Sequence, residues 1–160
     1  VLKAGYYHTG DTGFIDEAGL LHVTGRLSEA FKTTKGKFVK PSNIEDVMAD
    51  LQSLGQMCAI GHGMDAPVLL AGLSEVGATK TRNDIEHELT TQLPELNAKL
   101  AAHERVSQVF LVDDEWTIDN ELLTPTMKMK RNSLVDKYQD LVETLATEKT
   151  VAWESELSAR

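Results

Sequence analysis

Short apolar runs separated by glycine-containing turns open the chain, and apolar stripes at helical spacing follow them. Phe14-Ile15 and Leu20-Leu21-His22-Val23 flank Asp16-Glu17-Ala18-Gly19, whose Asp and Gly favour a tight turn, so this stretch predicts a β-hairpin. A second pair of extended segments, Ala30-Phe31-Lys32 and Phe38-Val39, brackets Thr33-Thr34-Lys35-Gly36-Lys37. Glycine there permits a positive φ, so the tip can fold tightly or approach a ligand closely. Ser42 and Glu45 have capping-box spacing, and Ile44, Val47, Met48 and Leu51 form one apolar stripe behind them, predicting a helix. Met57-Cys58-Ala59-Ile60 and Val68-Leu69-Leu70-Ala71 read as buried strands. Thr81 or Asn83 can cap a further helix with Ile85, Leu89 and Leu93 inward. Val106 to Val112 is rich in β-branched residues and predicts a strand. Leu134, Tyr138, Leu141, Val142 and Leu145 line a last amphipathic helix, and residues 147–160 are expected to form a flexible tail.

This order predicts an α+β fold: an N-terminal β-hairpin, then a small mixed β-sheet packed with about three helices. A chain of 160 residues suits one domain and can bury a core without staples. Its formal net charge of -9 disfavours general nucleic-acid binding, although Lys128, Lys130 and Arg131 could still serve one small anionic ligand. The lone Cys58 excludes an internal disulfide and points to a reducing compartment. No apolar run is long enough to span a bilayer and no signal-peptide pattern opens the chain, so a cytoplasmic location is expected. Val1-Leu2-Lys3 has no initiator methionine and runs straight into a motif, which reads as a piece of a longer protein.

Familiar chemistry is missing at the level of motif. There is no GxxxxGK[ST] phosphate loop, GxGxxG fingerprint or GxSxG elbow. His8, His22, His62, His87 and His103 are scattered without metal-ligand spacing, so no metal site is expected on this chain.

Three polar clusters remain. In Thr9-Gly10-Asp11-Thr12-Gly13 a carboxylate stands between two glycines, where it could accept hydrogen bonds from a vicinal diol such as a ribose or simply make a turn. Arg26 offers a planar fork of donors for a phosphate or sugar, or a surface ion pair with Glu29. Leu122-Leu123-Thr124-Pro125-Thr126-Met127-Lys128-Met129-Lys130-Arg131 is a basic loop entering a helix. Cations at a helix N-terminus oppose the macrodipole, so their placement hints at an anionic ligand rather than a merely solvated face.

In this order the clusters resemble the C-terminal domain of the adenylate-forming superfamily, which includes acyl-CoA synthetases, peptide-synthetase adenylation domains and firefly luciferases. Tyr7 to Gly13 is similar to its ribose-binding motif. Gly25-Arg26-Leu27-Ser28-Glu29, Lys32, Gly36 and Ile44-Glu45 resemble the hinge and the glycine loop beyond it. Thr124 to Arg131 resembles the segment that carries the catalytic lysine, with Lys128 in that place. The Leu-Thr-Pro-Thr run before Lys128 and the long Phe31–Val39 loop are most similar to the long-chain fatty acid ligases. Ser28 departs from the pattern, standing where the family usually has Lys or Asp as the hinge.

The resemblance implies that residues 1–27 are the end of a linker with the ribose-binding hairpin, and that residues 28–146 are a mobile lid. A large N-terminal domain would be its partner. Asp11 and Arg26 would bind the nucleotide, Ser28 would be the hinge, Lys128 would be catalytic, and Lys35, Gly36 and Lys37 would shape a coenzyme A channel. ATP and Mg2+, held mainly by the large domain, would activate a fatty acid as acyl-AMP, and coenzyme A would then receive the acyl group. Without the large domain the chain is expected to be inactive. The alternatives are an adenylating enzyme with another acceptor, such as a fatty acyl-AMP ligase, and a non-catalytic binding module of the same fold.

Overall fold

A computed structural model describes residues 2–3, 5–144 and 149–156. The chain starts with two antiparallel ribbons, β1 (Leu2–Lys3) with β2 (Tyr6–Tyr7), and β3 (Asp11–Ile15) with β4 (Leu21–Arg26). The expected turn lies between β3 and β4. Asp16 Oδ1 accepts the amides of Ala18 and Leu20, each at 2.9 Å. Its Oδ2 lies 2.6 Å from His22 Nε2, and this bond, with the turn amides, lowers the Asp16 carboxyl below its ordinary range. A register shift between Thr12 and Gly13 kinks the hairpin, and a Cβ on Gly13 would fall 2.4 Å from the His22 carbonyl oxygen, so only glycine fits the bulge.

A 3-10 turn, Leu27–Glu29, leads to the small ribbon of β5 (Phe31–Lys32) and β6 (Phe38–Val39). Then come α1 (Pro41–Met48), β7 (Leu54–Ile60), β8 (Val68–Leu73), the single turn α2 (Glu75–Ala78), and α3 (Arg82–Ala98). The last elements are β9 (Gln108–Leu111), α4 (Arg131–Thr144) and β10 (Val151–Trp153). The main sheet has the order β10-β9-β8-β7, with β7 antiparallel to β8 and the other neighbours parallel, so the sheet is mixed.

Strand alternation divides the core in two. Leu69, Ala71, Val109 and Leu111 face α1 and α3, meeting Ile44, Met48, Ile85 and Leu89. Leu70, Phe110 and Ala152 face the other way, meeting Leu134, Tyr138 and Val142 of α4 together with Trp116. The predicted inward stripes are those that pack, except that Leu145 lies outside the described residues. The fold is the α+β arrangement expected.

Three expectations are corrected. Ser42 and Glu45 do not form a capping box: the N-cap is Lys40, Pro41 opens α1, and Glu45 turns its carboxylate elsewhere. The reciprocal box belongs to α3, between Thr81 and Asp84. The strand predicted from Val106 is shorter because Asn97 satisfies both backbone groups of Val106 at 2.8 Å before the sheet can. Finally, part of the supposed tail is a buried strand. β10 adds parallel to β9, and its Trp153 donates from Nε1 to Glu86 at 2.8 Å while the Arg82 guanidinium lies 4.8 Å from its ring. Three apolar residues are too few to show periodicity, and their partners lie far away in sequence.

Candidate functional site

The β3–β4 hairpin brings two predicted nucleotide-binding residues face to face. Asp11 and Arg26 are register partners, and Arg26 Nε lies 3.5 Å from Asp11 Oδ1. Arg26 therefore pairs across the hairpin rather than with Glu29. Thr9 Oγ1 accepts the Asp11 amide at 3.1 Å, and the Leu27 amide donates to the Gly10 carbonyl at 2.8 Å. These bonds tie the start of the Leu27–Glu29 turn to the Asp11 loop. Around them Tyr6 and Tyr7 of β2, Ile15 and Leu21 of the hairpin, and Leu27 are 68–74% exposed, so this end presents apolar surface that the other described residues do not cover.

Ser28 is exposed in the Leu27–Glu29 turn. Extended backbone flanks it on both sides, at Arg26 (φ -106°, ψ 136°) and Ala30 (φ -65°, ψ 133°). Ser28 and Phe31 line a cavity of about 240 Å3 with His62, Arg131 and Gln139, where the Leu27–Glu29 turn meets α4.

Gly36 sits at the tip of the β5–β6 ribbon with φ +75°. Its amide donates to the Thr33 carbonyl at 2.9 Å, and the ribbon is braced by the neighbouring 61–65 turn. There the Thr34 amide donates to Met64 O at 3.0 Å, and Thr34 Oγ1 donates to Asp65 at 2.5 Å. Lys35 and Lys37 flank the glycine, are exposed, and make no ion pair among the described residues.

Lys128 stands in a miniature hairpin. Leu122 and Leu123 are buried, an antiparallel bridge joins Leu123 to Met129, and the Lys130 amide donates to Leu122 O at 2.9 Å. At the tip, Met127 takes φ +60°, the Thr124 amide donates to Lys128 O at 2.8 Å, and Thr124 Oγ1 accepts the Lys128 amide at 3.1 Å. The Lys128 side chain is exposed and without an ion pair among the described residues. Its backbone is held, and its ammonium pairs with no carboxylate among the described residues.

Arg131 also stands against the macrodipole of α4. It opens α4, but its charge is balanced: Nη1 and Nη2 donate to the two oxygens of Glu45 at 2.8 and 3.1 Å. Nη1 also reaches Ala59 O and Cys58 Sγ, each at 3.0 Å. Burial, the largest single influence, would lower the Arg131 pKa, but its hydrogen bonds to Glu45 together with the fields of Cys58, Glu45 and Glu29 raise it. Burial likewise pushes the Cys58 thiol up to about 12, despite the nearby guanidinium. Glu45 spends a further bond on the Ala59 amide at 2.8 Å.

The structure thus joins Asp11 with Arg26 and sets Ser28 beside the cavity that Arg131 lines. It makes no hydrogen bond or ion pair between Asp11 or Arg26 and Lys128 or the Gly36 tip among the described residues. Sequence reasoning missed the Arg131–Glu45 pair. The signal was present, because Arg131, Leu134, Tyr138 and Val142 share one helical face, putting a cation on the inner stripe.

Comparison with known proteins gives this geometry a family. Residues 30–150 match the model described as the AMP-binding enzyme C-terminal domain. The chain belongs to that family, the C-terminal domain of adenylate-forming enzymes. It is 27% identical over 161 residues to a long-chain-fatty-acid–CoA ligase of Mycobacterium tuberculosis, covering 88% of this chain and 26% of that protein. It is also 27% identical over 158 residues to a chloroplastic long-chain-fatty-acid–[acyl-carrier-protein] ligase of Arabidopsis thaliana, covering 89% and 22%. In fold it is similar to the A domain of a carboxylic acid reductase from Segniliparus rugosus, solved with AMP and a carboxylic acid, at a TM-score of 0.71 and 19% identity. That match covers 89% of this chain and 23% of the other. The chain spans about a quarter of the length of such relatives.

Proposed function

We propose that this chain is the mobile lid of an ATP-dependent acyl-CoA synthetase that activates a fatty acid as acyl-AMP and transfers it to coenzyme A. The observation that carries the reading is Lys128, an exposed ammonium without an ion pair among the described residues, on a backbone clamped by the Leu122–Lys130 hairpin. In adenylation a substrate carboxylate oxygen attacks the α-phosphorus and the bond to pyrophosphate breaks. Two negative groups must approach, and a fixed cation lowers that cost most where charge develops. Lys128 would supply this cation. Magnesium brought with the triphosphate would add screening at the same oxygens; among the described residues no three His, Cys, Asp or Glu side chains gather as a metal site.

Asp11 would accept hydrogen bonds from the ribose hydroxyls, with Arg26 beside it contacting the nucleotide. The uncovered apolar hairpin around Tyr6, Ile15 and Leu21 supports a large N-terminal domain as the partner. Rotation at Ser28 would then withdraw Lys128 and present the Gly36 tip. In the second step the thiol sulfur attacks the acyl carbonyl carbon and AMP leaves. The acyl-carrier-protein ligase among the relatives favours a second reading, in which a carrier protein is the acceptor. No helix among the described residues is long and apolar enough to cross a membrane, and the buried thiol of Cys58 fits a cytoplasmic setting.

The test is Lys128→Ala in the full-length ligase. Adenylation should fall by about 10²–10³, while thioester formation from supplied acyl-AMP persists. Equal loss of both half-reactions would refute the assignment. The 160-residue chain alone should release no pyrophosphate from ATP and fatty acid.

A further inference from the structure

Lys128 can act only as well as its turn is held, and hydrogen bonds within a two-stranded hairpin hold little by themselves. The Leu122–Lys130 hairpin is tied to the lid through buried Leu122 and Leu123, through the Leu123 amide on Thr117 O at 3.0 Å, and through the residue that follows it, Arg131. That residue reaches two other elements at once. Its guanidinium spans both carboxylate oxygens of Glu45 on α1 and the Ala59 carbonyl of β7, while its backbone begins α4. Arg131 and Glu45 side chains are only 15% and 18% exposed.

We infer that Arg131 is a positioning residue for the Lys128 turn, with Glu45 as its fixed counter-charge; this rests on Lys128 being the adenylation lysine. A planar fork held at both oxygens fixes direction as well as distance, which a point charge does not. Two residues separate Lys128 from Arg131, so a turn of the α4 start moves the Lys128 backbone. The cavity that Arg131 shares with Ser28 and Phe31 sets the same side chain beside the hinge exit, so the anchor lies between the hinge and the lysine.

The test uses Arg131→Lys, which keeps the charge and loses the fork, and Glu45→Gln as a second variant should the first fold poorly. In the full-length ligase, Arg131→Lys should lower the adenylation kcat about 10- to 100-fold, as misplacing a reacting group does. The KM for ATP and the rate of acyl transfer from supplied acyl-AMP should stay within about twofold. In a Lys128→Ala background the same change should cost nothing further, because it acts through Lys128. On the 160-residue chain, amide exchange at Thr124 and Lys130 should quicken selectively in both variants, with β8 and β9 unchanged. Multiplicative losses in the double variant, or exchange that stays the same or rises everywhere, would overturn the inference alone. Lys128→Ala that leaves adenylation intact would instead bring down the function proposed for Lys128, and the inference with it.

Discussion

Asp11 and Arg26 stand opposite one another at the open end of the β3–β4 hairpin, so the carboxylate proposed to hold a ribose already has its own cation 3.5 Å away. Both side chains are exposed, and such a pair contributes about 0–1 kcal/mol to stability. Asp11→Ala should therefore leave the melting temperature of the chain within about 3 °C. In the full-length protein, if it is the proposed ligase, the same change should raise the KM for ATP. A calorimetric melt beside a steady-state titration checks both, and a large loss of stability would show that the pair serves the fold.

Gly36 separates dihedral need from steric need. A Cβ there would meet only the end of the Lys32 side chain, at 3.6 Å, yet φ is +75°. Gly36→Ala should cost about 1–2 kcal/mol from the left-handed backbone alone. Under the proposed function, Gly36→Leu in the full-length protein should add a selective loss of thioester formation, because the larger side chain projects into open space at the tip. If Ala and Leu variants show the same half-reaction rates, the tip is a turn and nothing more.

Cys58 is buried against Arg131, and its thiol holds its proton to about pH 12 rather than its ordinary value of 9.0. The native chain should resist a thiol reagent at pH 8 and react once denatured. The sign of the stability effect follows from the raised value. Below pH 9.0 both states keep the proton and nothing changes. Above it the unfolded chain releases the proton first, so stability falls by up to about 1.4 kcal/mol per pH unit until the folded thiol also ionises. Denaturant titrations from pH 8 to 11 should therefore show a shallower decline for Cys58→Ala than for the unchanged chain.

Trp153 ties β10 to α3 through Glu86 and Arg82. Trp153→Ala should destabilise the chain by about 3–5 kcal/mol. Arg82→Ala should cost less, because its ion pairs with Glu86 and Glu156 are partly exposed. Chemical denaturation of the two variants checks the order.

What the residues disclosed in advance follows the range over which they act. The hairpin turn at Asp16–Gly19, the Thr81 cap and the stripes at Ile85 and Leu134 depend on neighbours a few positions apart, and all are found where their pattern lies. Glu45 had a local pattern too, but a buried guanidinium 86 positions away outbid its capping role. β10 had only long-range partners and left no local trace. Asp11, Arg26 and Lys128 were legible as candidates through motif order. That Asp11 and Arg26 pair with each other was not, because the bulge at Gly13 sets which residues face each other.

The family match ends at residue 150, one position before β10 begins. A shorter polypeptide trimmed at that boundary for expression would lose the strand that closes the sheet. The outer edge of β9, with Val109, Phe110 and Leu111, would then offer unpaired amides and carbonyls to any neighbouring molecule. Apolar edges of that kind recruit further strands, so such a preparation is expected to self-associate.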